Sequence, residues 1–153
     1  MKKRYVLVLI VFVILLYLIP SHRTNSIVIR FKYYKNAKAF EEVKKEMYKS
    51  DEDSIEISKD SDNNVFYIKI GNDKHAATSD DINYKYSECI KLMNNTNINY
   101  IQKDGNNIVI NYYVWFNFAQ EIVWMPDDKN FEHKYIILKK TNLKNHWYYV
   151  EEK

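Results

Sequence analysis

The first twenty residues constrain the chain more than any other stretch. Met1-Lys2-Lys3-Arg4 is a basic cluster, and Tyr5 to Ile19 follows it without a charge, an amide or any hydroxyl beyond two tyrosines. Only a bilayer makes so dense a run of Val, Leu and Ile useful at a chain terminus. Pro20-Ser21-His22-Arg23 closes the run. A basic cluster before an apolar core is the layout of a secretory signal or an N-terminal anchor. The sequence thus divides into a membrane-directed segment, residues 1–20, and one extracytoplasmic domain, residues 21–153.

Retention and cleavage both have support. Fifteen helical residues reach about 22 Å, short of a hydrocarbon core of about 30 Å, which favours a removed signal. Against cleavage, Ile19-Pro20-Ser21 is a poor processing site. Tyr5 and Tyr17 suit interfacial anchors, and Lys2, Lys3 and Arg4 can extend the span by snorkelling. The expectation is a single-pass protein, held in the cell membrane by Tyr5 to Ile19 with its N-terminus in the cytoplasm. Secretion after cleavage is the alternative. The only cysteine is Cys89, too far from the segment for a lipid-modified terminus.

Lys2, Lys3 and Arg4 account for three of the 23 basic residues, which leaves 20 against 20 acidic ones. A domain without a positive excess cannot release counterions from phosphates, so no nucleic acid is expected as a partner. One cysteine allows no internal disulfide. The bias toward Lys, Asn and Ile fits an AT-rich bacterial genome, hence a bacterial cell envelope.

Periodicity orders the rest. Ile27, Ile29, Phe31 and Tyr33 alternate with Arg30 and Lys32, which predicts a strand. Asn36 to Lys49 reads as a helix with Phe40, Val43 and Met47 inward, and with Glu41, Lys45 and Glu46 on the wet side. Ile55 and Ile57 turn through Asp60 to Asn64 into Val65 to Ile70, a hairpin. A second helix carries Ile82, Tyr86, Cys89, Ile90 and Met93 on one stripe, started by Thr78-Ser79-Asp80-Asp81. Five strands follow: 98–102, 107–116, 121–125, 134–140 and 145–151. Asp104-Gly105, Pro126-Asp127-Asp128 and Thr141-Asn142 mark turns. The expected fold is α+β, two helices on one side of a curved antiparallel sheet ending in a five-strand meander. Its layout is similar to that of cystatin-like or nuclear-transport-factor-like folds by analogy alone, which carries no function.

Chemistry is sparse. With only Gly71 and Gly105, no phosphate-cradling loop can be written, so no nucleotide and no cofactor is expected. Asp60-x-Asp62-x-Asn64 opens like a calcium loop, but Val65 and Gly71 stand where glycine and glutamate are required, and no metal site is expected. His22, His75, His133 and His146 lack metal-ligand spacing. Cys89 sits mid-stripe, where a thiol is a small hydrophobe and a thiolate is costly. No catalytic residue is assigned.

The aromatics rise above this background, with 14 Tyr, 7 Phe and 3 Trp. Alternation from Asn107 to Phe116 puts Ile108, Ile110, Tyr112, Val114 and Phe116 on one face, and Val109, Tyr113 and Trp115 on the other. Either a second buried layer or a concave aromatic surface explains this. Tyr113, Trp115, Trp124 and Tyr149 are the candidate binding residues for the second case. The expected function is a non-enzymatic, membrane-tethered or exported binding module that takes a protein or cell-envelope ligand. A small hydrolase-like envelope enzyme with a dispersed site, or an accessory or immunity-type subunit of a membrane complex, are the alternatives.

Overall fold

The computed structural model describes residues 26–60, 62, 64–115, 118–127 and 136–153, with the side chains of residues 26, 27 and 113–115 excepted. The apolar run therefore lies outside the described residues. Among those described, no helix is long and apolar enough to cross a membrane.

Two helices open the domain, α1 (Ser26–Lys35) and α2 (Ala37–Tyr48). The strand expected over residues 27–33 is a helix instead. Ile29 and Tyr33, four residues apart, are buried, whereas Phe31 is 67 % exposed, which strand alternation does not allow. A short apolar run satisfies both periods, and packing decided between them. Tyr33 lies with its ring centroid 5.3 Å from Phe40 and 6.1 Å from Trp147. Asn36 marks the junction of the two helices: its backbone N–H reaches the carbonyls of Lys32 and Tyr33, and its amide donates to Lys32 at 2.9 Å.

The strands are β1 (Ser54–Asp60), β2 (Val65–Ile70), β3 (Asp73–Ala76), β4 (Tyr100–Asp104), β5 (Asn107–Trp115), β6 (Phe118–Trp124), β7 (Ile137–Lys144) and β8 (Trp147–Glu152). They form one antiparallel sheet in the order β3-β2-β1-β4-β5-β6-β8-β7, with a π-helical turn (Asp81–Lys85) and helix α3 (Ser87–Asn95) between β3 and β4. The class is α+β with a curved sheet, as the sequence indicates.

The meander holds as far as β6 and then departs from sequence order. β8 pairs with both β6 and β7, so β7 becomes the edge. The predicted turn at Thr141-Asn142 moves to Asn145-His146, because Thr141 and Asn142 pair with Tyr149 and Tyr148 inside the ladder. Asn145 and His146 both take positive φ, 51° and 66°, as a two-residue hairpin turn that follows strand twist requires. Gly105, at φ 54°, turns β4 into β5 as predicted.

Register makes the core legible. Ile68, Ile57, Ile101, Ile110, Ile122 and Tyr149 are successive cross-strand partners in one row beneath the helices. Phe40, Val43 and Met47 from α2 and Cys89, Ile90 and Met93 from α3 join the same apolar cluster. Glu46, expected on the wet side, is buried. Its carboxylate accepts the N–H groups of Glu88 (3.0 Å) and Cys89 (2.8 Å) and the Ser87 hydroxyl (3.2 Å). It thus occupies the positive end of α3. Thr78 and Asp81 cap the preceding turn reciprocally: the hydroxyl accepts the Asp81 N–H, and the carboxylate accepts the Thr78 N–H at 2.9 Å.

Candidate functional site

Of the aromatic residues singled out by the sequence, the two with described side chains, Trp124 and Tyr149, do not lie on an open face. Tyr149 is fully buried beneath the helices, and its hydroxyl donates to Glu151 at 2.6 Å. Trp124 is half-buried on that same face, its ring 5.4 Å from Tyr48 and 5.1 Å from the Lys44 ammonium, both from α2. These two therefore belong to the helix-side layer, not to a surface opposite it. The side chains of Tyr113 and Trp115 lie outside the described residues. Their backbone carries a correction all the same, since the register shifts between Asn111 and Tyr113. A bulge inserts one residue and interrupts strict alternation, so the face count from Ile108 cannot be continued to Trp115.

The face away from the helices carries a second buried cluster, Val109, Val123, Met125, Tyr148 and Val150. Beside it runs a polar row. Tyr100, Asn111 and Glu121 are successive cross-strand partners on β4, β5 and β6. The Tyr100 hydroxyl donates to Glu121 Oε1 at 2.9 Å, and the Asn111 amide donates to the same oxygen at 3.0 Å. Asn99 donates in turn to Asn111 Oδ1 at 3.1 Å. Burial, followed by the Glu121 charge, pushes the Tyr100 phenol far above its ordinary value. Glu152 is buried as well, and it adds to that field. Hydrophobic periodicity alone does not mark this row. Its signal was a carboxylate and an amide set inside otherwise apolar strands, which a buried strand tolerates only when their polar atoms are paired.

Other titratable groups are engaged locally. Burial works against the Glu41 charge, yet bonds from Lys44 and from the Trp147 indole N–H (2.8 Å) hold its carboxyl below the usual value. Cys89 is fully buried, and burial, reinforced by Glu46, pushes its thiol well up. It serves as core, as its place on the stripe suggests. Asp60 and Asp62 lie at the β1–β2 turn, where Asp60 accepts the Asp62 N–H at 2.9 Å. Among the described residues, no group of three or more His, Cys, Asp or Glu is placed to hold a metal.

Among the described residues, a cleft of about 590 Å³ opens where the α1–α2 junction meets α3. Lys35, Lys38 and Glu42 line one wall, and Glu88, Lys91 and Asn95 the other, with Ala39 and Leu92 also lining it. Lys91 and Glu88 form an ion pair at 3.6 Å. Both signs of charge and the amides of Asn36 and Asn95 thus line an accessible hollow, more polar than an apolar small-molecule pocket. Comparison with known protein families, with curated protein sequences and with solved structures finds no match to this chain.

Proposed function

We propose that the protein is a non-enzymatic binding module of the cell envelope, tethered in the membrane by Tyr5 to Ile19 with its domain outside, or released after cleavage. The N-terminal run supports the address. The cleft between the α1–α2 junction and α3 carries the binding role, because its lysines, glutamates and asparagines are recognition groups on an open surface. Its ligand is a protein segment or a polar envelope component that offers both signs of charge. The aromatic groove suggested by composition is not part of this reading, since Trp124 and Tyr149 sit in the helix-side layer.

Two measurements test the reading. Fractionation of the tagged chain, with protease added from outside intact cells, should find it in the membrane fraction with the domain accessible. Protein confined to the cytoplasm ends the envelope assignment. A photo-crosslinker at Lys38 should capture one envelope component that a crosslinker at Asp104 does not. With the crosslinker kept at position 38, Lys35→Glu with Lys91→Glu should abolish that capture at unchanged melting temperature. Capture that survives the double reversal removes the cleft from the site.

One observation favours a second reading, a small envelope hydrolase. Glu121 and Glu152 are two buried carboxylates on the far face, close to a phenol and an amide. Glu121→Gln keeps the shape of that row and removes its charge. A turnover assay on cell-envelope substrates that loses activity only in this variant would select the enzyme.

A further inference from the structure

We propose that α1 lies along the membrane surface, with its exposed apolar arc set into the headgroup region of the bilayer to which the domain is tethered. The proposal rests on the tethered reading above and adds an orientation to it.

Val28, Phe31 and Tyr34 are 44 %, 67 % and 53 % exposed. At 3.6 residues per turn they share an arc of about 120° on α1. Ile29 and Tyr33 occupy the opposite arc and are buried in the core. A helix with apolar side chains on two opposite faces calls for two apolar neighbours, and the domain supplies one of them. Arg30 borders the exposed arc on one side and Lys35 falls within it in the last turn, whereas Lys32, on the other border, holds its ammonium over the Tyr112 ring. Long basic side chains at the edge of an apolar arc are suited to an interfacial helix, because their stems lie along apolar surface while their charges reach phosphate.

Chain length and charge choose the occupant. Six residues, Pro20 to Asn25, separate the apolar run from Ser26. Fully extended, that connection spans at most about 25 Å, so α1 cannot stray far from the surface the run enters. No Asp or Glu occurs before Glu41, whereas Arg23, Arg30, Lys32, Lys35 and Lys38 all do. This stretch is complementary to an anionic phospholipid surface and repels a second copy of itself.

The test uses the full-length chain reconstituted in vesicles of phosphatidylcholine and phosphatidylglycerol. Phe31→Cys is labelled with a pyrene maleimide, while Cys89 stays unlabelled because it is buried. Asp104→Cys, on the β4–β5 turn, serves as the reference site. Lipids bearing a shallow nitroxide should quench the probe at Phe31 at least twofold more than the probe at Asp104. Adding Val28→Glu and Tyr34→Glu should bring the two sites level. Equal quenching at both sites in a chain that stays with the vesicles overturns the orientation and leaves the tether standing. Release of the whole chain from the vesicles overturns the tether, and the orientation with it. Excimer emission from Phe31 without nitroxide quenching overturns the proposal in favour of a second copy of the chain.

Discussion

The two faces of the sheet bury comparable strands by different means. The helix side is a run of isoleucines closed by Phe40, Met47 and Trp147, with few polar atoms below the helices. At its helix starts Glu46 and Asp81 satisfy backbone N–H groups, and the buried Trp147 indole and Tyr149 hydroxyl each find a glutamate. The far side mixes a small apolar cluster with a mid-strand row of Tyr100, Asn111 and Glu121. An apolar face tolerates a lost atom in proportion to the cavity left behind. A paired polar row fails abruptly, because removing one member orphans the others.

The helix side should give the largest single loss. Trp147 is fully buried, packs edge-on against Phe40 at 5.4 Å and donates its indole N–H to Glu41. Trp147→Ala should cost about 3–5 kcal/mol by denaturant unfolding. A loss under about 1 kcal/mol would mean that this layer is looser than its register implies. On the far face, Glu121→Ala should cost about 2–3 kcal/mol, more than its few methylenes explain, since the Tyr100 hydroxyl and the Asn111 amide lose their acceptor. Adding Tyr100→Phe to that variant should recover part of the loss, and a double-mutant cycle measures how much. Strict additivity would show that the row is not coupled.

These two faces also mark how far the sequence could be read. The hairpin at Asp104-Gly105, the stripe from Tyr86 to Met93 and the burial of Cys89 are legible, because each rests on a local period or a local turn; Ile82, expected on the same stripe, is exposed because a π-turn separates it from α3. Helix α1 is not legible. Ile29 and Tyr33 satisfy both an alternating and a helical pattern, and only contact with Phe40 and Trp147 separates them. The β8–β7 exchange is likewise non-local, since nothing in Lys139 to Asn142 says which strand lies beside it. Of the binding candidates, Tyr149 and Trp124 were read from composition, which cannot tell an aromatic in a core from one on a surface. The cleft left no trace at all: Lys38 and Lys91 are far apart in the chain and meet only through helix packing.

The caps refine the comparison from the helix side. Glu46→Ala removes an acceptor shared by three donors at the start of α3 and should cost about 1–2 kcal/mol. That is less than Glu121→Ala, because only the Cys89 N–H is buried, while Ser87 and Glu88 are partly buried and water can replace the carboxylate there. If Glu46→Ala proves the costlier of the two, then the contrast drawn between mid-strand and helix-end polar groups fails.

The smallest effect should fall on Asp81 and should depend on pH. Burial opposes its charge, but the Thr78 backbone N–H and hydroxyl overcome that and hold the carboxyl below its usual value. A carboxyl depressed in the folded state contributes stability that is fully present above its unfolded value, about 3.9, and that fades as pH falls through the folded value. Asp81→Asn keeps the size of the side chain and removes that ionisation, so at neutral pH it should cost about 0.5–1 kcal/mol. As pH falls through the depressed folded value the native carboxyl takes up its proton, and the two proteins should converge in stability. Denaturant midpoints of both across this range measure the convergence. A gap that persists undiminished in acid would assign the contribution of Asp81 to shape rather than charge, and the start of the helix would then be held by packing, like the layer it covers.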